Sequence, residues 1–279
     1  RLNNALNKEL FTAEGKERKM VGYDFLYQAR DTKGTLTGYE NYANTMYFMY
    51  DNEHENGLRS GLGMSITQFN SNYDDDSSRK EIMIQALLPV SYKAENGLKW
   101  ASVARFGYGD GEYKRRTSSD VFESDLSEWI YGLSNAVRYK MDLGFVKVEP
   151  TAEFNVLGYY QNRIREDKNK ANAIKADAVN NLSVEGGLGF NLSKEWKLNE
   201  RDKLSVHAGA MYYHEFAEPY HSLDASIYGM TGSYRITDYE GIYDDDRGVL
   251  SAGFDYDIGD FTIYGQYNQY IEDENPMSI

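Results

Sequence analysis

The sequence contains no cysteine and only four prolines in 279 residues. Without cysteine there are no disulfide bonds, no thiolate zinc ligands and no cysteine nucleophiles. It also has no run of 18 apolar residues, so no transmembrane helix is predicted. Basic residues are scarce, at 30 against 44 acidic residues. The resulting net charge of −14 argues against nucleic-acid binding, which needs a basic face.

Aromatic residues are abundant: they make up 14% of the chain, and 25 residues are tyrosine. That content argues against a disordered chain, although the mean hydropathy of −0.68 is low. The length permits one large β domain or two ordinary domains. The chain begins at Arg1 without a signal peptide or initiator methionine, so we expect it to be a mature part of a longer protein.

Alternation between apolar and polar residues is the dominant pattern along the chain. Leu182, Val184 and Leu188 share one parity, whereas Ser183 and Glu185 share the other. A period of two is typical of β-strands with two different faces. The same alternation recurs in residues 145–157, 204–213, 250–256 and 261–268.

Eleven strands are predicted, and many exceed ten residues, which is long for a soluble protein. Their approximate bounds are 20–31, 39–51, 57–72, 79–93, 97–113, 125–142, 145–163, 178–194, 201–217, 247–258 and 260–273. Short connections alternate with long polar ones, which are predicted at 70–79, 113–125, 163–178 and 217–246. Within the last of these, the alternation over 225–234 predicts a short hairpin.

Long two-faced strands with short turns at one end and long loops at the other favour an all-β fold, an outer-membrane antiparallel up-and-down β-barrel. The barrel must close, because lipid offers no partner to an open sheet edge. Aromatic residues near strand ends fit interfacial girdles, as at Trp129 and Tyr160. Two alternatives stay open, a soluble ligand-binding β-domain and an outer-membrane porin or adhesin barrel that carries no passenger.

Five dispersed blocks over residues 37–273 carry a family resemblance. They are Trp-Ile-Tyr-Gly-Leu at 129–133, Val-Glu-Pro-Thr-Ala-Glu-Phe at 148–154, Val-Glu-Gly-Gly-Leu-Gly at 184–189, Ala-Gly-Ala-Met-Tyr-Tyr at 208–213 and Leu-Ser-Ala-Gly-Phe at 250–254. Their order and spacing resemble the C-terminal translocator barrel of type V autotransporters.

The resemblance implies a twelve-stranded barrel that supports secretion of an N-terminal passenger to the cell surface. It implies a location in the outer membrane of a Gram-negative bacterium, contact with outer-membrane lipid, and insertion by the barrel-assembly machinery as a monomer. It implies no cofactor, no metal and no nucleic-acid partner. It also implies no enzymatic activity beyond cleavage of a linker.

The N-terminal segment also resembles the family. Residues 2–8 read Leu-Asn-Asn-Ala-Leu-Asn-Lys, like the linker of self-cleaving serine-protease autotransporters. We therefore expect residues 1–18 to be a linker helix running through the lumen, with the passenger upstream of Arg1. We expect residues 19–279 to form the barrel, with residues 276–279 as the turn and beginning of a twelfth strand that is cut off, because Pro276 is unsuitable within a central strand.

An asparagine can cleave its own chain by succinimide formation when a base and a restrained geometry assist it. The resemblance makes Asn3 and Asn4 the candidates, assisted by Glu153. The two other positions that carry acids in self-cleaving members hold Ala101 and Ser134 here.

Charged residues on the polar face are predicted to line the pore, to pair across it and to hold the helix. They are Lys99, Arg105, Arg138, Lys147, Glu149 and Glu153. Two acidic runs, at 74–76 and 244–246, lack the glycine and distal glutamate of a calcium loop and are interpreted as solvated loop tips. The Gly-Tyr-Gly-Asp-Gly run at 107–111 follows no βα unit, so it is not interpreted as a nucleotide loop.

Overall fold

Long antiparallel strands dominate the computed structural model of the chain, which describes residues 10–11, 16–32, 37–199, 202–217, 223–232, 234–236, 245–258 and 261–272. The strands are β1 (Glu17–Arg30), β2 (Tyr39–Glu53), β3 (Leu58–Tyr73), β4 (Ser78–Lys93), β5 (Leu98–Arg116), β6 (Val121–Tyr139), β7 (Met141–Asp142), β8 (Lys147–Gln161), β9 (Ile164–Arg165), β10 (Ile174–Ala176), β11 (Val179–Lys197), β12 (Asp202–Glu215), β13 (Leu223–Ile227), β14 (Tyr234–Ile236), β15 (Asp246–Ile258) and β16 (Phe261–Glu272).

Eleven of these strands make one wall, in the order β1-β2-β3-β4-β5-β6-β8-β11-β12-β15-β16. Each pairs antiparallel with its neighbours, and β7 adds a two-residue pairing to β8. Each long strand is thus followed along the chain by its neighbour in space, as in an up-and-down barrel wall. The predicted eleven strands and their antiparallel order are confirmed. No described helix is long and apolar enough to cross a membrane.

The two faces of the wall reverse the arrangement of a soluble protein. Large apolar side chains on the outer face are exposed, among them Val21 at 71% and Leu188 at 67%. On the inner face, polar side chains are buried, such as Asp51 at 0% and Glu128 at 2%. Alternating side chains therefore build an apolar exterior and a polar interior from the same strands.

The wall is curled so that its two ends approach each other. Tyr47 on β2 and Tyr264 on β16 are hydrogen-bonded through their hydroxyl groups, although the two strands lie near opposite ends of the strand order. The ring of Tyr47 lies flat across Gly22, its partner on β1, where a Cβ atom would be only 2.0 Å from the ring. Glycine is needed at this position because the ring occupies the side-chain space.

The connections predicted at 70–79 and 113–125 are shorter in the structure, so this part of the prediction is wrong. β3 ends at Tyr73 and β4 begins at Ser78. β5 ends at Arg116 and β6 begins at Val121. Four-residue turns join both pairs. Backbone pairing in a hairpin does not depend on apolar side chains, so polar residues beyond an apolar band can remain in strands.

The two longest connections meet in a small second sheet of order β14-β13-β10-β9. The predicted hairpin over 225–234 is confirmed, since β13 pairs antiparallel with β14. This sheet is held to the extended β5–β6 hairpin by Arg115, whose two nitrogens each lie 2.8 Å from the Glu166 carboxylate. Phe122 and Leu126, both on the inner side of β6, are buried here. The small sheet therefore forms a cap at the long-loop end.

Replacing Gly22 by alanine is expected to cost about 1–3 kcal/mol of stability, because the new methyl group overlaps the Tyr47 ring and forces it to move. Gly248→Ala is the matched control, since the nearest atom to its added Cβ is 3.5 Å away. Denaturant unfolding of both variants in detergent micelles measures the difference. Equal stability of the two variants would contradict the packing of Tyr47 on Gly22.

Candidate functional site: the barrel lumen

The outer face carries an apolar band of membrane thickness. On β5, outward side chains from Leu98 to Tyr108 are apolar or small, and those beyond Tyr108 are polar, beginning with Asp110. Ten residues of a tilted strand span about 25 Å along a barrel axis. Tyr108 and Trp129 are in contact at one edge of this band, with ring centroids 4.7 Å apart and ring planes inclined by 54°. Tyr139 lies at the other edge and is 44% exposed.

A buried ionic cluster lies in the lumen near the short-turn end. Asp51 is fully buried and accepts hydrogen bonds from Arg59, with Nε at 2.9 Å, and from Arg18, with Nε at 3.0 Å. Arg59 also contacts Glu53 at 2.9 Å. This cluster joins β1, β2 and β3. It also explains why β1 begins at Glu17, inside the segment 1–18 that was predicted as linker.

Both of the predicted lumen lysines have carboxylate partners. Lys99 Nζ lies 2.9 Å from Glu149 Oε1, although β6 separates their strands. Lys147 Nζ lies 3.2 Å from Glu195 Oε2, and both of these side chains are partly exposed. The first pair reaches across a strand, which is possible because lumen side chains converge in a curled sheet.

Arg138 is in contact with the chain that precedes the barrel. Its guanidinium lies 4.4 Å from the centre of the Phe11 ring, a cation–π distance. Leu10 and Phe11 have helical backbone and are 4% and 5% exposed. They pack in one buried cluster with wall residues including Met49 and Leu87. The lumen therefore holds at least this part of the N-terminal segment.

Glu153 lies beside Arg138 on the next strand and accepts a 2.9 Å hydrogen bond from the Tyr213 hydroxyl. The register places Glu153 opposite Ala136, and Ala136 opposite Ala101. Ser134 is one lumen position away and donates to Asn155 at 2.6 Å. On these three neighbouring strands Glu153 is thus the one acid at its level. Asn3 and Asn4 lie outside the described residues.

Arg105 is the least satisfied of the predicted lumen charges. It has no hydrogen-bond or ion-pair partner within the described part of the chain. Its Nε lies 3.2 Å from the place where Gly132 would carry a Cβ, so the guanidinium lies flat on the opposite strand. The structure therefore separates Arg105 from the carboxylates that were predicted to share the lumen with it.

Two further groups of ion pairs in the lumen were not predicted from the sequence. Arg79 contacts Glu128 and lies 2.7 Å from Glu81, while Tyr159 donates to Glu128. Arg247 Nε lies 2.9 Å from Glu185 Oε2. The signal was available, because each of these residues has the polar-face parity of its strand. Applying that parity to every strand would have placed all of them in the lumen.

The Gly-Tyr-Gly-Asp-Gly run lies on β5, with its three glycines facing the lumen. A Cβ on Gly109 would be 2.0 Å from a Glu81 carboxylate oxygen, and one on Gly107 would be 2.7 Å from Gln85 Cγ. The glycines thus make space for polar side chains of β4. No group of three or more metal-binding side chains occurs among the described residues.

An apolar outer band, a polar lumen and a wall of antiparallel neighbours define a membrane β-barrel. The family model for the autotransporter β-domain matches residues 22–268. Because this match covers most of the chain, the chain belongs to the autotransporter β-domain family. Its architecture is that of an outer-membrane translocator barrel.

Solved structures show the same fold at low sequence identity. The translocator domain of the autotransporter NalP from Neisseria meningitidis aligns with a TM-score of 0.74 and 13% identity, over 97% of this chain and 88% of that chain. The β-domain of the Bordetella autotransporter BrkA aligns with a TM-score of 0.69 and 19% identity, over 93% of each chain. The transport unit of AIDA-I from Escherichia coli aligns with a TM-score of 0.51 and 10% identity, over 98% of this chain and 92% of that chain. No curated protein matches the chain.

Proposed function

We propose that this domain anchors a passenger in the outer membrane of a Gram-negative bacterium and supports its export to the cell surface. The passenger is joined upstream of Arg1, and the residues before Glu17, where β1 begins, act as the linker that runs through the lumen. The observation that carries this proposal is the burial of Leu10 and Phe11 against the inner face of the barrel wall. Chain that precedes β1 is thereby held within the pore instead of beside it.

The charges of the lumen support the same proposal. Arginine, lysine and carboxylate side chains face inward at several levels, including Arg59, Lys99 and Glu128. A polar wall lets an unfolded chain pass without adhering to it, whereas the apolar outer face contacts lipid. The domain works as a monomer that the barrel-assembly machinery inserts, and it uses no cofactor.

Export is tested with an epitope-tagged passenger fused before Arg1 and expressed in a Gram-negative host. We expect added protease to remove the tag from intact cells while the barrel remains in the outer-membrane fraction. The control fusion joins the same passenger to a signal peptide without the barrel, which should leave the tag protected in the periplasm. A tag that stays protected although the barrel is folded and inserted would contradict the proposal.

Cleavage of the linker is a separate matter, and the register argues against it. Succinimide formation at Asn3 needs acid–base assistance, yet Ala101 and Ala136 flank the level of Glu153. We expect the passenger to stay attached, so that one band of full length appears on denaturing gels. Release of the passenger that Asn3→Asp or Glu153→Gln abolishes would show the opposite.

A further inference from the structure

A cluster of charged side chains lies on the inner face of the wall, just beyond the apolar band on the long-loop side. Tyr108 marks the edge of that band on β5. The register places Glu128 of β6 opposite Gly109, and Glu81 of β4 opposite Gly111, both of which follow Tyr108 along β5. The cluster is therefore outside the membrane-spanning part of the wall.

Two carboxyl groups of this cluster share one guanidinium group. Arg79 Nη2 lies 2.7 Å from Glu81 Oε2, and the same nitrogen contacts Glu128 Oε1. The Glu81 and Glu128 side chains are only 3% and 2% exposed. If both glutamates were ionised, two buried negative charges would face one positive charge. An uncompensated buried charge is costly, so the cluster favours the uptake of one more positive charge.

A glycine of β5 lets the two carboxyl groups meet. β5 separates β4 from β6, and a side chain on its inner face would stand between them. A Cβ on Gly109 would lie 2.0 Å from Glu81 Oε1, and Gly109 is also the register partner of Glu128. Glu81 therefore reaches over β5 and comes within hydrogen-bonding reach of Glu128.

The second oxygen of Glu81 lacks a donor. Glu81 Oε1 is buried and has no hydrogen-bond partner among the described atoms. Ionised carboxylates only accept hydrogen bonds, so two ionised glutamates cannot bond to each other, whereas a protonated one donates to its neighbour. A single proton on the pair thus supplies a hydrogen bond between Glu81 and Glu128 and removes the excess negative charge.

The surroundings of Glu128 contain one cation. Within the described part of the chain, the charged and titratable groups against it are Arg79 and Glu81 from β4 and Tyr159 from β8. β5 presents glycine there, and β3 presents the ring of Phe69, 5.5 Å from the Arg79 guanidinium. Burial raises the pKa of Glu128 and the Glu81 charge raises it further, and together they outweigh Arg79 and Tyr159, which lower it.

We propose that Glu81 and Glu128 form a proton-binding site, in which one proton is held between their carboxyl groups at neutral pH and is released as the medium becomes alkaline. The bound proton joins β4 to β6 across β5, and Tyr159 extends the contact to β8, from which the chain continues into the cap. Release leaves two carboxylates that repel each other on one guanidinium. The site is a clasp that fastens the wall below the cap in neutral and mildly acidic medium.

Infrared spectroscopy of the barrel in detergent micelles detects this proton directly, because a protonated carboxyl group absorbs apart from a carboxylate. At neutral pH we expect a protonated-carboxyl signal that both Glu81→Gln and Glu128→Gln lose. Glu185→Gln is the matched control and should keep the signal, because Glu185 faces Arg247 one to one in the same lumen, with Nε at 2.9 Å. A wild-type barrel without the signal, or a signal that survives in both cluster variants, would overturn the proposal.

Stability provides a second readout with a definite sign. The folded pair holds its proton more tightly than the unfolded chain, so the wild type should lose stability as the pH rises towards the release of that proton. Its unfolding equilibrium constant, divided by that of Glu128→Gln, should rise at least about tenfold between about pH 5 and about pH 8, since one pKa unit corresponds to a factor of ten. Glu185→Gln should follow the wild type.

A ratio that does not change with pH would contradict the site. Glu81→Gln takes the place of Glu128→Gln if the latter does not fold, which heat-modifiable gel mobility reveals. Exchange of sodium chloride for choline chloride at neutral pH distinguishes a proton from a metal cation. Stability that depends on sodium, without the protonated-carboxyl signal, would assign the site to the metal ion and overturn the proposal. All of these measurements use the barrel without a passenger, so they stand or fall separately from export.

Discussion

Replacing Asp51 by alanine is expected to lower the free energy of unfolding by about 3–5 kcal/mol, because removal of one partner leaves buried charges uncompensated. Asp51 is fully buried and receives hydrogen bonds from both Arg18 and Arg59. Without its carboxylate, two guanidinium groups from the strands on either side of β2 face each other in the lumen. Their repulsion should loosen the start of β1 first.

Guanidinium-induced unfolding of the barrel from lipid vesicles measures this effect. Glu53→Gln is the matched control, because the Glu53 side chain contacts the same Arg59 at 2.9 Å but is 45% exposed. An exposed pair of this kind contributes about 0–1 kcal/mol. An Asp51→Ala barrel as stable as the Glu53→Gln barrel would mean that the cluster is solvated and not structural.

The second large effect is expected from a charge on the outer face. Leu133→Arg should cost about 2–4 kcal/mol in a bilayer, the penalty for arginine near the midplane of a membrane barrel. Leu133 is 43% exposed and lies on β6 between Trp129 and Tyr139, which mark the edges of the apolar band. In water an arginine at such an exposed position would cost almost nothing.

This prediction separates the membrane barrel from the soluble β-domain that the sequence left open. Ser127→Arg is the control, because Ser127 shares the outward parity of Leu133 on the same strand but lies beyond Trp129. At that depth the penalty falls to about 0–1 kcal/mol. The measurement is unfolding from vesicles. Equal stability of the two variants would argue that the outer face does not contact lipid.

Much of this architecture could be predicted because it is local. In a strand, adjacent side chains point to opposite faces whatever the strand pairs with, so Leu133 and Ser134 could be assigned to exterior and lumen from the sequence. The same rule predicts Lys99 and Glu153 on the inner face, and Glu153 is 8% exposed. Strand ends were less accurate, because polar residues such as Lys114 can continue a hairpin beyond the apolar band.

Partners within the lumen could not be predicted in the same way. Which carboxylate Lys99 reaches depends on the stagger between β5, β6 and β8, and no local pattern encodes that stagger. The meeting of Tyr47 and Tyr264 requires the whole sheet to curl. Residues that are distant in sequence become neighbours only when many strand pairings act together.

The sequence by itself thus determined an apolar outer face, a polar inner face and the eleven strands of the wall, because side-chain alternation is a property of each strand alone. Only the tertiary structure decided that Phe11 lies against Arg138, that a small cavity remains beside Arg138 and Glu153, and that two loops form a cap. Those features depend on the curvature and register of eleven paired strands, which bring separate faces to a common interior.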